Sequence, residues 1–311
     1  MLAPPLAPGK FADPRLTRDG SPRASVPFAS LKTLWINTGT LCNIECKTCY
    51  IDSSPTNDRL AYLTRAEARP YLDEAAAMGA AEIGFTGGEP FMNPDMAGMA
   101  EDALARGFSA LILTNAMRPA MRPRVRAAVR RLAEGYGGRL TLRVSLDHHT
   151  AGHHDDERGA GSFDIAIAGL KAFAADGVRL AVAGRMRWNE SAADAREGYR
   201  ALFAVNAIPI DADDPGALVL FPEMDSRLDT PEITEACWGV LNEAPESVMC
   251  ASSRMVIKRK GTAPAVVACT LIVDDPQFEM GATLKDSARP VRLNHPHCSR
   301  FCVLGGASCS A

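Results

Sequence analysis

The stretch LCNIECKTCY, residues 41–50, decides how this chain is interpreted. Its three cysteines, Cys42, Cys46 and Cys49, are spaced CxxxCxxC and follow a short apolar run at residues 33–37. Three thiolates in one loop can hold three corners of a cubane iron–sulfur cluster, which usually takes four. Because the loop has no fourth cysteine, one iron would keep an open coordination position, as catalytic metals do. A zinc site completed by a distant ligand, or plain buried thiols, would also fit this spacing.

Around this loop, short apolar runs alternate with helical stretches, a pattern typical of βα units and a parallel sheet. The predicted strands are residues 33–37, 82–86, 110–114, 141–145, 180–185 and 217–221. The predicted helices are residues 65–78, with Thr64 and Glu67 as a capping box, then 95–106, 122–134, 163–176 and 191–206. Six units are fewer than the eight of a closed barrel. We therefore predict an α/β fold, a partial (β/α)6 TIM barrel with its chemistry beyond the carboxyl ends of the strands.

Composition bounds the domain organisation and the class of protein. We expect a flexible tail over residues 1–30, the partial barrel over 31–222, and a smaller cysteine-rich domain over 223–311 with a hairpin around Gly261.

The net charge of −3 gives no reason to expect a nucleic-acid partner. There is no apolar run of the ~18 residues needed to span a membrane. The N-terminal stretch lacks the apolar core of a secretory signal. Nine cysteines in two groups fit metal or redox chemistry in the cytoplasm better than disulfides.

A second motif, Thr86-Gly87-Gly88-Glu89-Pro90, follows the second predicted strand. Glycines allow a backbone to approach a ligand closely, and a carboxylate suits an ammonium group. Placed at the carboxyl end of the strand next to the cysteine loop, this turn predicts a wall of a ligand site.

Together these motifs resemble the radical S-adenosylmethionine (SAM) superfamily over residues 31–222. The family's cluster loop has the CxxxCxxC pattern, and its GGEP motif lines the amino group of SAM. The resemblance continues in order along the chain, with Asn115 after the third predicted strand, Ser145 and Asp147 after the fourth, and Arg158 in the loop HDDERG. It implies that Ser145 and Arg158 contact the SAM carboxylate, with Asn115 and Asp147 near the adenosine. The SAM site expected from it comprises Thr86, Gly87, Gly88, Glu89, Asn115, Ser145, Asp147 and Arg158.

The resemblance also implies a mechanism. Cys42, Cys46 and Cys49 hold a 4Fe–4S cluster, and the amine and carboxylate of SAM chelate the open iron. An electron, from a donor such as flavodoxin or ferredoxin, splits the sulfonium carbon–sulfur bond, and the 5′-deoxyadenosyl radical takes hydrogen from a substrate. One position departs from the family: the aromatic residue before the third cysteine is replaced by Thr48, and Tyr50 follows that cysteine instead.

The C-terminal region carries a second group of cysteines. Its pattern resembles the SPASM and shorter twitch domains, which hold auxiliary iron–sulfur clusters behind a Cys…Gly…Cys hairpin. The resemblance implies one auxiliary 4Fe–4S cluster with one thiol to spare among Cys250, Cys269, Cys298, Cys302 and Cys309. A structural zinc ion is the alternative for this region. Cys237, next to Trp238, is interpreted as a core cysteine.

Other polar groups are weaker candidates. The histidines of residues 148–154 are interpreted as part of a polar rim loop in preference to a metal site, and Glu223 and Asp225 as substrate contacts beyond the sixth strand. We predict a radical SAM enzyme acting on a small molecule or a peptide in a cofactor, natural-product or peptide-modification pathway. The alternative is a non-catalytic zinc-binding interaction protein on the same barrel.

Overall fold

A computed structural model describes residues 4–309. The strands are β1 Ser25–Val26, β2 Thr33–Asn37, β3 Glu82–Thr86, β4 Ser109–Thr114, β5 Leu140–Ser145, β6 Arg179–Arg185, β7 Leu218–Phe221, β8 Ser253–Lys258, β9 Pro264–Val267, β10 Glu279–Gly281 and β11 Val291–Arg292. The α-helices are α1 Arg65–Ala77, α2 Met96–Ala105, α3 Pro123–Tyr136, α4 Ala151–Arg158, α5 Ser162–Ala175, α6 Ala192–Asn206 and α7 Cys237–Leu241. Among these residues no helix is long and apolar enough to cross a lipid bilayer.

Nine strands form one sheet in the order β10-β9-β8-β2-β3-β4-β5-β6-β7. The strands from β8 through β2 to β7 run parallel, and β9 and β10 add an antiparallel edge. Because β7 and β10 do not pair, the sheet stays open in the part of the chain described. This confirms the predicted partial barrel, since helices between successive parallel strands must cross over to one face and curl the sheet.

The predicted strands agree with the structure to within one residue, and the predicted helices to within two. The capping box is confirmed: Thr64 Oγ1 accepts from the Glu67 backbone N–H at 3.2 Å, and Glu67 Oε2 accepts from the Thr64 backbone N–H at 2.9 Å. Helix α4 is a difference, because residues 151–158 were expected to form a loop. Its eight residues are strongly polar, so apolar periodicity gave no helix signal there.

The cysteine-rich C-terminal region shares the barrel's sheet. Its predicted hairpin is present as β8 and β9, and β8 also pairs parallel with β2, from Thr33 opposite Ser253 to Ile36 opposite Val256. The sheet therefore continues across the division predicted at residue 222. Strand β2, buried along its whole length, lies between the barrel and the C-terminal hairpin.

The N-terminal segment differs from the flexible tail expected over residues 1–30. From residue 4 onward it packs on the C-terminal region: β1 pairs with β11, and Phe28 stacks on Arg254, whose guanidinium carbon lies 4.5 Å from the ring centroid. Arg23 forms an ion pair with Glu232 at 2.6 Å, with side chains 0% and 6% exposed. The tail expectation failed because these contacts join residues more than 200 positions apart, which composition does not reveal.

We expect Arg23→Ala to lower the free energy of unfolding by about 3 kcal/mol, because it leaves the Glu232 carboxylate buried without its charged partner. Urea denaturation of the anaerobic protein measures this change. Lys10→Ala is the matched control, since its ion pair with Asp229, with side chains 19% and 27% exposed, is reached by water and contributes less. Equal effects of the two substitutions would show that the N-terminal segment is only loosely attached.

Candidate active site

A cavity opens at the carboxyl ends of the parallel strands, between the barrel and the C-terminal region. Phe301 and Cys309 contribute to its wall from the C-terminal side. Most of the predicted site residues line it together: Cys42, Cys46, Cys49, Thr86, Gly87, Gly88, Asn115, Ser145, Asp147 and Arg158. These residues come from the ends of four strands, so the parallel sheet is what brings them to one place.

The glycine turn after β3 is joined to the cysteine loop by its backbone. The Gly88 N–H donates to the Gly39 carbonyl at 2.8 Å, and the Glu89 N–H donates to the Leu41 carbonyl at 3.1 Å. A Cβ at Gly88 would lie 2.3 Å from the Leu41 carbonyl oxygen, and Gly87 has a φ of +138°. Side chains therefore cannot fit here, and the glycines are explained by close approach of two backbone segments.

Glu89 is buried and does not line the cavity, unlike Thr86, Gly87 and Gly88 of its motif. Its Oε1 accepts from Thr114 Oγ1 and its Oε2 from the Asn115 backbone N–H, both at 2.8 Å. Burial raises its pKa to about 7 despite these bonds. Glu89 thus ties the turn after β3 to the end of β4. The expected contact of its carboxylate with an ammonium group stays a prediction.

Asn115 also differs in detail from the role that the resemblance implies. Its Nδ2 donates to Asn43 Oδ1 at 2.9 Å and lies 3.8 Å from the Cys42 sulfur. The side chain therefore supports the cysteine loop as well as lining the cavity.

Asp147 and Arg158 form a two-bond ion pair inside the cavity. Arg158 Nε and Nη2 donate to the two Asp147 carboxylate oxygens at 2.6 and 3.0 Å. Burial opposes ionisation of Asp147, but the Arg158 guanidinium beside it holds its pKa below the usual range. His154 Nδ1 accepts the Asp147 backbone N–H at 3.1 Å. The sequence pattern HDDERG is thus explained by a cation fixed in place beside the cysteine loop.

A second buried carboxylate, Glu157, was not singled out from the sequence. It accepts from the Thr48 backbone N–H at 2.8 Å and from the Thr48 hydroxyl, and it pairs with Arg185 at 3.3 Å and with Arg187. Glu157 therefore holds the cysteine loop in place at Thr48, the position that departs from the family pattern. Glu157 could have been found from the sequence because it precedes Arg158, which was predicted to lie in the site, and α4 brings both residues there.

Tyr50, the aromatic residue displaced to the far side of Cys49, lines the cavity. Its hydroxyl lies 3.4 Å from Thr86 Oγ1, and burial raises its pKa. The ring is close enough to Cys49 and Cys309 for their thiols to affect its ionisation. Tyr50 thus lies between the cysteine loop and the C-terminal cysteines.

The thiols of the cysteine loop are candidate metal ligands in the cavity wall. Burial raises the pKa of Cys42 to about 12 and that of Cys46 to about 11, so a bound metal would have to displace their protons. Three thiolates can hold three irons of a cubane cluster, whereas a structural zinc ion would need a fourth ligand.

The C-terminal cysteines also approach one another. Burial raises the pKa of the Cys302 thiol, and the neighbouring thiols of Cys269, Cys298, Cys250 and Cys309 raise it further. The Cys309 thiol accepts from Thr270 Oγ1 at 3.3 Å and lines the cavity. Cys237 packs against the hydrophobic core, as its interpretation as a core cysteine requires, although it is only partly buried, and it accepts from the Thr234 backbone N–H at 3.3 Å.

The two expected substrate contacts, Glu223 and Asp225, are not in the cavity wall. Glu223 pairs with Arg185 at 3.3 Å, and Asp225 pairs with Arg227 at 2.7 Å. Met224 between them lines the cavity instead. The substrate contacts expected of Glu223 and Asp225 therefore stay a prediction: the segment follows the sixth predicted strand as expected, and its acidic side chains pair with arginines.

We expect Glu157→Ala to destabilise the protein and to reduce iron retention by half or more, because it frees Thr48 and leaves Arg185 buried without this carboxylate. Iron per chain after anaerobic desalting and a melting curve measure both effects. Asp156→Ala is the matched control in the same helix, since the Asp156–Lys47 pair is 65% and 62% exposed. Equal iron retention in the two variants would contradict a role for Glu157 in fixing the loop.

Comparison with known proteins agrees with this geometry. Residues 36–186 match the sequence profile of the radical SAM superfamily. The AdoMet-dependent heme synthase of Methanosarcina barkeri is 31% identical over 133 residues, 42% of this chain and 35% of that protein. The mycofactocin maturase MftC of Mycobacterium tuberculosis is 34% identical over 136 residues, 44% of this chain and 32% of the maturase. The alignments thus span about a third of each curated relative's length.

Two solved structures share the fold at low sequence identity. Streptococcus suis SuiB bound to S-adenosylmethionine superposes with a TM-score of 0.60 and 13% identity, covering 82% of this chain and 64% of SuiB. Native anSMEcpe with bound AdoMet superposes with a TM-score of 0.58 and 14% identity, covering 82% of this chain and 79% of anSMEcpe. The profile match over residues 36–186, the motifs at the ends of successive strands and the shared partial barrel agree on a radical SAM domain in this chain.

Proposed function

We propose that this protein is an iron–sulfur enzyme that reductively cleaves SAM and uses the resulting radical to take hydrogen from a substrate. The observation that carries the proposal is the convergence of three free thiols, the glycine turn and the Asp147–Arg158 pair on one cavity. A bound cluster would supply the one electron that reductive cleavage of the SAM sulfonium requires. The fold supplies binding, orientation and exclusion of water.

The chain's own residues divide this work. Cys42, Cys46 and Cys49 hold the cluster. Arg158 offers a cation to the SAM carboxylate while Asp147 fixes its orientation, and Ser145 offers a hydroxyl at the end of β5.

For the auxiliary 4Fe–4S cluster we propose Cys250, Cys269, Cys298 and Cys302 as ligands. Cys269, Cys298 and Cys250 affect the ionisation of Cys302 more than Cys309 does, and Cys269 and Cys250 affect that of Cys298, as expected of one group of neighbouring thiols. Cys309 is the spare thiol, because it is turned towards the cavity and accepts from Thr270.

We propose a peptide as the substrate, with a small molecule as the second candidate. SuiB has been crystallised with its precursor peptide SuiA, and MftC is named a maturase, which supports the peptide. The cavity wall also contains Arg143, which is 1% exposed. One guanidinium nitrogen donates to the Cys309 carbonyl at 2.8 Å, and Nε has no hydrogen-bond partner. A buried guanidinium of this kind suits a carboxylate of the substrate.

We expect the reconstituted protein to contain about eight irons and eight sulfides per chain, and to form 5′-deoxyadenosine from SAM under dithionite. The triple variant Cys42→Ala, Cys46→Ala, Cys49→Ala should keep about four irons and lose this activity. Cys237→Ala is the control and should match the wild type. Zinc in place of iron would favour the non-catalytic zinc-binding alternative. Candidate peptides are then scored by how much they accelerate 5′-deoxyadenosine formation.

The ligand assignment of the auxiliary cluster predicts a contrast between two serine variants. Cys302→Ser should lose about four irons, whereas Cys309→Ser should keep about eight, because only the first removes a proposed ligand. Iron analysis and Mössbauer spectra of the two proteins measure this. Loss of iron from Cys309→Ser with retention in Cys302→Ser would exchange the two assignments.

A further inference from the structure

Helix α3 and the segment that leads into it carry a concentration of positive charge. Residues 118–131 contain six arginines and no acidic residue. The three in the second half are neutralised by acidic partners: Asp176 for Arg126, Glu134 for Arg130 and Glu101 for Arg131. The three in the first half, Arg118, Arg122 and Arg124, are exposed, and none of them forms an ion pair with any residue from 4 to 309. We call these three residues the arginine patch.

The stability of α3 does not explain the arginine patch. Arg122 directly precedes the helix, and Arg124 lies in its first turn, which contains no acidic residue. Because a helix N-terminus carries a partial positive charge, cations are least favourable there and anions are preferred. The patch therefore lowers the stability of the helix, and this cost fits charges that serve an anionic partner outside the chain.

The patch begins where the segment after β4 contacts the cysteine loop. Asn115 Nδ2 lies 3.8 Å from the Cys42 sulfur, and Asn115 Oδ1 accepts the Met117 backbone N–H at 3.0 Å. The Met117 sulfur lies 3.8 Å from Asn43 Nδ2 in the cysteine loop. Since Arg118 is the next residue, these contacts place its backbone nitrogen within about 13 Å of the Cys42 sulfur.

The patch lies beside the cysteine loop without lining the cavity, whose described wall includes Thr114 and Asn115 but none of the three arginines. Arg122 is close to Tyr62: burial raises the pKa of Tyr62, and the Arg122 charge opposes that rise. Tyr62 in turn packs on Gly39, where a Cβ would lie 2.6 Å from the ring. A molecule held in the cavity would not need these cations, so the patch serves a partner that binds outside it.

We propose that Arg118, Arg122 and Arg124 form the docking surface for a small acidic protein that carries one electron, such as a flavodoxin. This inference rests on the proposed function, because the cluster held by the cysteine loop must be reduced before SAM can be cleaved. The transfer is balanced, since the carrier loses one electron, the cluster gains it, and no bond is formed or broken.

Charge and position both support this partner. The net charge of −3 does not attract an acidic protein, so the attraction has to come from a local patch of cations. Electron transfer weakens steeply with distance, so a carrier is effective only where it docks close to the cluster. The arginine patch meets both conditions, because it is exposed and it begins next to the contacts of Cys42.

The test uses the anaerobically reconstituted protein and a purified acidic flavodoxin. Calorimetry with oxidised flavodoxin measures binding, and 5′-deoxyadenosine formation driven by reduced flavodoxin measures kcat/KM for the carrier. The variants are Arg118→Glu and Arg122→Glu. Arg130→Glu is the matched control, because it makes the same change of charge at an exposed position about 12 Å along α3 from Arg122. Each protein is also assayed with dithionite, a small reductant that needs no docking surface.

At low salt we expect Arg118→Glu and Arg122→Glu to weaken flavodoxin binding and to lower kcat/KM by about fivefold or more, and Arg130→Glu to change both by less than about twofold. The differences should disappear at about 0.5 M salt, where exposed charges are screened. Iron per chain and the activity with dithionite should equal those of the wild type in all three variants, which shows that each of them folds and holds its clusters.

Three results would overturn the docking surface: wild-type binding by Arg118→Glu, an equal loss in Arg130→Glu, or tighter binding of a single-stranded RNA than of the flavodoxin at the same salt. Absence of 5′-deoxyadenosine with dithionite would instead count against the proposed function. Because oxidised flavodoxin binds without turnover, the calorimetry decides the docking surface in that case too.

Discussion

Two backbone hydrogen bonds join the loop that carries three cysteines to the glycine turn after β3, and the rest of the site depends on them. They require the turn to approach within a distance that excludes side chains, which is why Gly87 and Gly88 stand there. Glu89 extends the connection to the end of β4 through Thr114 and Asn115. The cysteine loop is thus held by the ends of two parallel strands before any cofactor binds.

Charge completes the arrangement. Arg158, Arg185 and Arg143 all line the same cavity, and buried cations are costly unless they are paired. Asp147 pairs with Arg158, and Glu157 pairs with Arg185. The Asp147 backbone N–H also donates to the His154 ring, and Glu157 also accepts from Thr48 in the cysteine loop. Arg143 has no carboxylate within ion-pair distance among the described residues, which is why the substrate is proposed to supply one. The site is therefore electropositive where an anionic ligand would sit.

The C-terminal region is part of the barrel's architecture rather than an appendage to it. Strand β8 pairs with β2, and β2 leads directly into the cysteine loop. The N-terminal segment packs on the same C-terminal region through β1 and Arg23. Both ends of the described chain thus pack together on the C-terminal side of the molecule, the side that contributes Phe301 and Cys309 to the cavity wall.

The sequence by itself determined the partial barrel, the strand and helix limits, the cysteine loop and most of the cavity wall. It could do so because hydrophobic periodicity, capping residues and motif spacing are local signals, and because parallel strands bring their carboxyl ends together. Only the tertiary structure decided that β8 joins β2, that residues from 4 onward are packed, that Glu157 fixes Thr48, and that Glu223 and Asp225 pair with arginines. It alone brought Met117, and with it the arginine patch, to Asn43 of the cysteine loop. Each of these rests on contacts between residues far apart in the chain, whose side-chain partners no local pattern specifies.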